Sequence, residues 1–260
     1  MNLDRPAPIE RLGIALGAGL SPLVASLSGA RRARMFHPDG VVFSATVQSV
    51  ALTADLAKVA ERLAGNALVR FSGALWRYDR EWPDVLGAAI RFHFREPVAS
   101  EQQDLLLATI RSPWTMPFSP FATNFRSYLW NHYHAVSPFE VEGVGRVKIR
   151  LRSPRIGNGT AASRTEHLAR LVADGAASFE LQLRRLDTPL LARKWEPAAR
   201  LTLVEPLDTD QAALRFSPFR AGGGLQPVGF VHALRLAAYA ASQAARPTHR
   251  AAPSSPGLGQ

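Results

Sequence analysis

Apolar and polar positions alternate along several short segments of the chain, and each of these segments predicts a β-strand. Residues 41–48 are rich in β-branched side chains, and residues 178–186 alternate so regularly that their strand should be half exposed. Residues 139–141 and 146–152 flank the sequence Glu-Gly-Val-Gly, which favours a hairpin between them. Further strands are predicted at 67–71, 88–94, 104–110 and 200–204.

Helical patterns are fewer than strand patterns. Residues 51–63 predict an amphipathic helix or a loosely helical connector, and residues 165–174 predict a helix that ends at Gly175. Residues 229–246 form an apolar final helix, whereas residues 111–138 are rich in proline and aromatic side chains and should wrap over a pocket or core. Strands joined by hairpins and longer crossings, with few helices, favour an antiparallel barrel with helical decoration.

Length and composition favour one domain. A chain of 260 residues with 47% hydrophobic residues can bury one large core, which we assign to residues 1–246. The small, polar and proline-rich tail, residues 247–260, is predicted to be disordered. The apolar stretch 13–30 is interrupted by two glycines and a proline, so a buried helix or hairpin is favoured over an export signal or a membrane span. A cytoplasmic location is the corresponding expectation.

The formal net charge of +10 comes almost entirely from arginine, because only Lys58, Lys148 and Lys194 are lysines. These basic residues are scattered and are not interleaved with aromatic residues as in RNA-binding segments, so no nucleic-acid partner is predicted. Some of the arginines are candidates for binding anionic groups of a cofactor. The absence of cysteine excludes disulfides, zinc–thiolate sites, iron–sulfur clusters and thiolate-ligated haem.

The final predicted helix carries the most informative chemistry. Arg235 lies four residues before Tyr239 and Arg246 lies seven residues after it, so all three side chains share one helical face. Two guanidinium groups beside a phenol favour its ionised form, and a phenolate is a known axial ligand of haem iron. His232 lies on the same face and is a rival axial ligand.

Two further motifs complete a pattern with this helix. The first is Arg34-x-x-His37-x-x-Gly40, and the second is Val69-Arg-Phe-Ser. Together with the Arg-x-x-x-Tyr helix, these motifs resemble those of the haem catalase superfamily over roughly residues 34–246. Smaller similarities are the sequences Lys-Trp-Glu-Pro from Lys194 and Phe-Ser-Pro-Phe from Phe216. The chain is similar to a shortened, catalase-related peroxidase.

The resemblance implies an α+β fold, namely the catalase-like antiparallel eight-stranded β-barrel with peripheral helices and a C-terminal helix that faces haem b. Tyr239, held ionised by Arg235, would ligate the iron. His37 would move a proton on the opposite face of the haem, and Ser72 would hydrogen-bond its imidazole.

The same resemblance implies the contacts to the rest of the cofactor. Arg34, Arg70 and Arg246 would neutralise the haem propionates, because forked guanidinium donors suit carboxylates. Phe121 is the candidate for stacking on the haem. Two other aromatic residues could serve equally, Phe118 and Phe125.

One departure from the family pattern changes the expected activity. Catalases carry a distal asparagine in a Gly-Asn-Asn-Thr-Pro segment, which corresponds here to residues 104–110 and contains no asparagine. Ala108 lies in this segment. Losing the amide should weaken disproportionation of hydrogen peroxide more than haem binding. The shorter chain should also leave a more open pocket, which favours organic peroxides or reducing co-substrates.

The sequence therefore predicts a haem-dependent peroxidase with weak or absent catalase activity, acting on a small-molecule peroxide with an organic reductant, without a nucleic-acid partner or a membrane span. Assembly into a homo-oligomer stays open. One alternative is a fatty-acid hydroperoxide isomerase or dehydratase on the same haem barrel, and another is a barrel that binds haem or lipid without turnover. His132 and His134, which alternate on one face of a strand, leave a metal-dependent hydrolase as a third.

Overall fold

The computed structural model describes residues 40–76, 80–96, 98, 100–156, 162–210, 214–217 and 220–229. The predicted final helix beyond residue 229, the apolar stretch 13–30 and the tail 247–260 lie outside these residues. The helices and strands are, in chain order, β1 (Gly40–Ser49), α1 (Ala54–Leu63), β2 (Gly65–Gly73), β3 (Leu86–Phe92), β4 (Gln103–Ala108), a 3₁₀ helix (Pro113–Phe118), α2 (Ser119–Ala122), β5 (His132–His134), β6 (Phe139–Val141), β7 (Gly145–Arg152), α3 (Arg164–Ala173), β8 (Ser178–Arg185), a 3₁₀ helix (Leu190–Ala192), β9 (Glu196–Pro206) and β10 (Leu225–Pro227).

Eight of the strands close into a barrel. Their order around the ring is β1, β2, β3, β4, β5, β7, β8 and β9, and β9 pairs again with β1. Every pairing is antiparallel. The two remaining strands extend the sheet beside β7, since β6 pairs with β7 and β10 pairs with β6. The predicted eight-stranded antiparallel barrel with few helices is confirmed.

Alternating side chains of the ring fill the barrel. Val69 and Phe71 on β2 point inward with equivalent residues of the other strands, and both are fully buried. The Phe71 ring has its centroid 5.5 Å from that of Tyr128, 5.7 Å from that of Tyr133 and 5.2 Å from that of Phe179. Burying one such ring contributes about 1.5–3 kcal/mol to stability, so this cluster anchors the interior.

The helices lie at the periphery, and their ends follow from local sequence. In α1 the buried residues Leu56, Val59, Ala60 and Leu63 fall on one helical face. At the start of α3 the Ser163 side chain accepts a hydrogen bond from the Glu166 amide, and Gly175 follows the helix with a φ of +69°. The predicted stop at Gly175 is thus confirmed. No helix among the described residues has both the length and the apolar character needed to cross a membrane.

Candidate functional site

The candidate site lies on the outer face of the barrel, on β1 to β5. Because side chains alternate along a strand, the inward positions of Val69 and Phe71 place Arg70 and Ser72 on the opposite face. Leu68, which shares that outer face, packs with Val42 and Phe216 in a small cluster separate from the barrel core. The Val-Arg-Phe-Ser motif therefore contributes apolar residues to the core and polar residues to the outside.

Strand register aligns five residues across this outer face. Gly40 pairs with Ser72, Ser72 with Gly87, Gly87 with Ala108, and Ala108 with His134. We call these five residues the outer row. Four of them are small, and a strand spacing of about 4.8 Å makes the stretch from Gly40 to Ala108 about 14 Å wide. This stretch carries no large side chain of its own, so the barrel wall itself would not hinder a flat ring system there.

A buried cation lies beside the outer row. Arg70 is only 3% exposed, and its guanidinium group lies against the backbone of Gly40. A Cβ atom at position 40 would come within 2.8 Å of Arg70 Cζ and within 2.4 Å of the Phe71 carbonyl oxygen. The glycine that ends the Arg-x-x-His-x-x-Gly motif is therefore needed for the close approach of β2 and its arginine.

Gly40→Ala is accordingly expected to lower the free energy of unfolding by about 1–3 kcal/mol and to displace Arg70, because the methyl group meets backbone as well as the guanidinium. Urea unfolding and a haem titration should both register the change. Gly143→Ala is the matched control: its φ of +78° costs about 1–2 kcal/mol, but no atom lies within 4 Å of the added carbon. A Gly40→Ala variant that binds haem as tightly as the Gly143→Ala variant would contradict a role for Arg70 in the site.

A second row beside the outer row is apolar apart from its arginine. It aligns Val42, Arg70, Ala89 and Leu106. The next row contains the ion pair of Arg91 with Asp104, whose Nε–Oδ1 and Nη2–Oδ2 distances are 2.8 and 2.9 Å. The Phe216 ring lies 5.0 Å from Arg91 Cζ and covers this end of the face. Phe216, the first residue of the Phe-Ser-Pro-Phe sequence, therefore bounds the candidate site on one side.

The far end of the outer row is strongly basic. Burial and then the nearby Arg150 and Arg111 lower the pKa of His134 to about 4, so its imidazole is neutral at pH 7. Its ring packs edge-on against Trp195 with 6.1 Å between centroids. Arg150 and Arg184 lie over Trp195, 4.4 and 4.8 Å from the ring centroid.

His132 is also neutral, because burial and then neighbouring arginines lower its pKa to about 4. Arg155 Nη2 donates to His132 Nε2 at 3.3 Å. Across the part of the chain that the structure describes, no cluster of three or more histidine, cysteine, aspartate or glutamate side chains could hold a metal ion. The pair formed by His132 and His134 therefore lacks a third ligand of these types within that part.

The structure places three of the predicted site residues. Arg70 and Ser72 lie together on the outer face, both 3% exposed, whereas Phe121 lies on α2 with 82% of its surface exposed. The other predicted site residues lie outside the described residues: Arg34, His37, Arg235, Tyr239 and Arg246. His37 precedes the first described residue, Gly40, by three positions.

Sequence reasoning missed the position of His134. The sequence suggested it as a metal ligand beside His132, whereas strand register makes it the direct neighbour of Ala108, the residue in the segment where catalases carry asparagine. Only the pairing of β4 with β5 reveals this. No local pattern in the chain relates residue 108 to residue 134.

The barrel resembles a protein of known structure. The crystal structure of a fungal catalase matches this chain with a TM-score of 0.58 and 14% identity, over 85% of this chain and 61% of the catalase. The fold is catalase-like. The chain spans about three fifths of the length of that catalase. No protein-family model matches the sequence, and no curated protein sequence matches it.

Proposed function

We propose that this protein is a haem peroxidase that cleaves peroxides and has little or no catalase activity. The observation that carries the proposal is the outer row, in which Ser72 and Ala108 flank Gly87 beside the buried Arg70 on a catalase-like barrel. The described residues suit haem b, because the outer row carries only small side chains from Gly40 to Ala108 and the Arg70 guanidinium group suits a propionate. When bound, haem would supply a redox-active iron at which an O–O bond can be cleaved.

The residues that would hold the cofactor come from the predicted final helix, from the Arg34 motif and from β2. Tyr239 would ligate the iron, and Arg235, four residues earlier, would keep its oxygen ionised. Arg34, Arg70 and Arg246 would neutralise the propionates. Of these five residues only Arg70 is described, and its burial beside Gly40 supports a cation held in place before any cofactor binds.

Proton transfer would fall to His37. Three residues of extended chain reach at most about 11 Å, so chain length limits the Cα distance between His37 and Gly40 to this value. Gly40 in turn pairs with Ser72. The imidazole would take a proton from one oxygen of the peroxide and deliver it to the other oxygen, which departs when the O–O bond breaks. The Ser72 hydroxyl would orient the imidazole and so select its tautomer.

The substrate expected for such a site is an organic peroxide. The Ala108 side chain offers no hydrogen bond to a small peroxide. Leu106 of the second row, two residues before Ala108 on β4, adds apolar surface. The two electrons needed to reduce the peroxide to an alcohol and water would come from an organic reductant. The apolar second row also favours a second candidate, an isomerase or dehydratase of fatty-acid hydroperoxides. Product analysis separates the two, because an isomerase needs no reductant and returns a rearranged lipid.

The deciding experiment is the visible spectrum of the protein reconstituted with haem, before and after addition of peroxide. We expect the Soret band of a ferric tyrosinate complex, which Tyr239→Phe should abolish or greatly weaken because the anionic ligand is lost. His232→Ala, which removes the rival ligand on the same predicted face, should leave the band in place. A parent protein that stays colourless with haem would refute the proposed function, and loss of the band only in the His232 variant would refute Tyr239 as the ligand.

A further inference from the structure

Four large apolar side chains project from the segment that follows β4. Trp114, Met116, Phe118 and Phe121 are 89, 47, 70 and 82% exposed. We call these four residues the aromatic ridge. They lie on the 3₁₀ helix Pro113–Phe118 and on α2. Single exposed apolar residues are ordinary on protein surfaces, but four within eight positions form a patch of the kind that marks an interaction site.

The exposure of the ridge is built into the segment. Thr109 and Thr123 join its two ends through their hydroxyl groups at 2.7 Å. Within it, the Ser119 hydroxyl donates to the Thr115 carbonyl and the Thr123 hydroxyl donates to the Ser119 carbonyl, both at 2.8 Å. Ser119 and Thr123 are buried. The small polar side chains thus bind backbone beneath the ridge, while the large apolar ones face outward, which reverses the usual arrangement at a water-exposed surface.

The charged side chains in the sequence from residue 105 to residue 139 have one sign. No aspartate or glutamate occurs from Leu105 to Phe139, and the exposed residues Arg111 and Arg126 flank the ridge on either side. The whole chain carries a net charge of +10. A second copy of the chain would bring like charges together, whereas an anionic surface with an apolar interior would satisfy both the arginines and the ridge.

We propose that the aromatic ridge docks on the surface of a lipid bilayer that contains anionic phospholipid. Trp114 and Phe118 insert at the level of the headgroups, where aromatic side chains are favoured, and Arg111 and Arg126 contact phosphate groups. The inference can be tested separately from the proposed function, because every residue that carries it is described and the test is made without added haem, although Phe118 and Phe121 are also candidates for stacking on the haem.

The test is co-sedimentation of the full-length protein, without added haem, with vesicles of phosphatidylcholine alone or mixed with phosphatidylglycerol. We expect binding to the mixed vesicles that weakens as salt is added, and much weaker binding to phosphatidylcholine. The double variant Trp114→Ser/Phe118→Ser keeps every charge and should bind roughly tenfold or more weakly, because it loses two inserted rings. Leu191→Ser is the matched control, since Leu191 is fully exposed on the other 3₁₀ helix, and should bind like the parent.

Three results would overturn the proposal. If the double variant binds as tightly as the parent, net charge alone accounts for binding. If the parent is a dimer in solution that the double variant converts to a monomer, the ridge is an interface between copies. If Trp114→Phe removes a buried, blue-shifted component of the tryptophan fluorescence without vesicles, another segment of the chain already covers the ridge. Far-ultraviolet circular dichroism should show that all variants fold, because the substituted side chains are exposed.

Discussion

The His37→Ala variant is expected to retain bound haem and to lose peroxide cleavage by about 10²- to 10⁴-fold, the usual contribution of a positioned acid–base group. Haem should remain because the proposed iron ligand, Tyr239, belongs to a different segment. The rate falls because no other group is proposed to carry the proton from one peroxide oxygen to the other. The measurement is kcat/KM for an organic peroxide, with the Soret band as the check on haem content.

Two further variants test whether His37 alone carries the acid–base role. Ser72→Ala should lose less activity than His37→Ala, because the Ser72 hydroxyl only orients the imidazole. His134→Ala tests the other imidazole, which shares the outer row with Ser72, is neutral at pH 7 and lies beside Ala108. It should keep nearly the parent rate. A large loss in the His134 variant combined with a small loss in the His37 variant would transfer the acid–base role to His134.

Arg164→Ala is expected to cause the largest loss of stability, about 3–5 kcal/mol of the free energy of unfolding, as when one partner of a buried charge pair is removed. Arg164 is 1% exposed; its Nη1 donates to the Phe125 carbonyl at 2.9 Å, and its guanidinium lies 5.2 Å from the Tyr128 ring centroid. Asp84 is fully buried nearby. Its Oδ2 and Arg164 Nη2 both lie within 3.1 Å of the position that a Cβ atom of Gly73 would occupy.

The loss of stability in Arg164→Ala should also depend on pH, because Asp84 is buried and one of its carboxylate oxygens accepts no hydrogen bond. Oδ1 accepts hydrogen bonds from three backbone amides, whereas Oδ2 has no hydrogen-bond partner. Burial raises the pKa of Asp84, and the three backbone hydrogen bonds, followed by the attraction of Arg164, oppose that rise. A carboxyl group whose pKa is raised by folding binds more protons in the folded state, so its contribution favours folding at low pH and is lost as the pH rises through the raised pKa. Removing Arg164 raises that pKa further, so the penalty should be larger at pH 7 than at pH 4.

Urea unfolding at these two pH values measures the effect. Arg170→Ala is the matched control on the same helix, because its 2.8 Å ion pair with Glu166 is about half exposed and should contribute no more than about 0.5 kcal/mol. Adding Asp84→Asn to Arg164→Ala should recover part of the loss at pH 7, since the uncompensated charge is then absent. An Arg164→Ala penalty that is equal at both pH values, or unchanged by Asp84→Asn, would contradict a charge interaction between the two residues.

The amino-acid sequence by itself determined the local elements and their chain order. The strand at 41–48, the hairpin of 139–141 with 146–152 and the helix that ends at Gly175 were all predicted within a few residues, because side-chain alternation, turn glycines and caps act over short distances. The resemblance to catalases also predicted the closed barrel. The strand β10 was missed, since three residues are too few to show an alternating pattern, and β5 was suggested only by the alternation of His132 and His134. Tyr239, His37 and the other proposed ligands beyond the described residues stay predictions.

Only the tertiary structure decided which of these residues meet. Ser72, Ala108 and His134 come from three separated parts of the chain, and their alignment depends on strand register, which is set by packing across the whole barrel. The same holds for the burial of Arg164 beside Asp84. The aromatic residues of 111–138 were predicted to cover a pocket or core, yet Tyr128 and Tyr133 are buried while the aromatic ridge faces outward. Composition cannot separate these outcomes, because the same ring can be buried or exposed, and long-range contacts alone determine which.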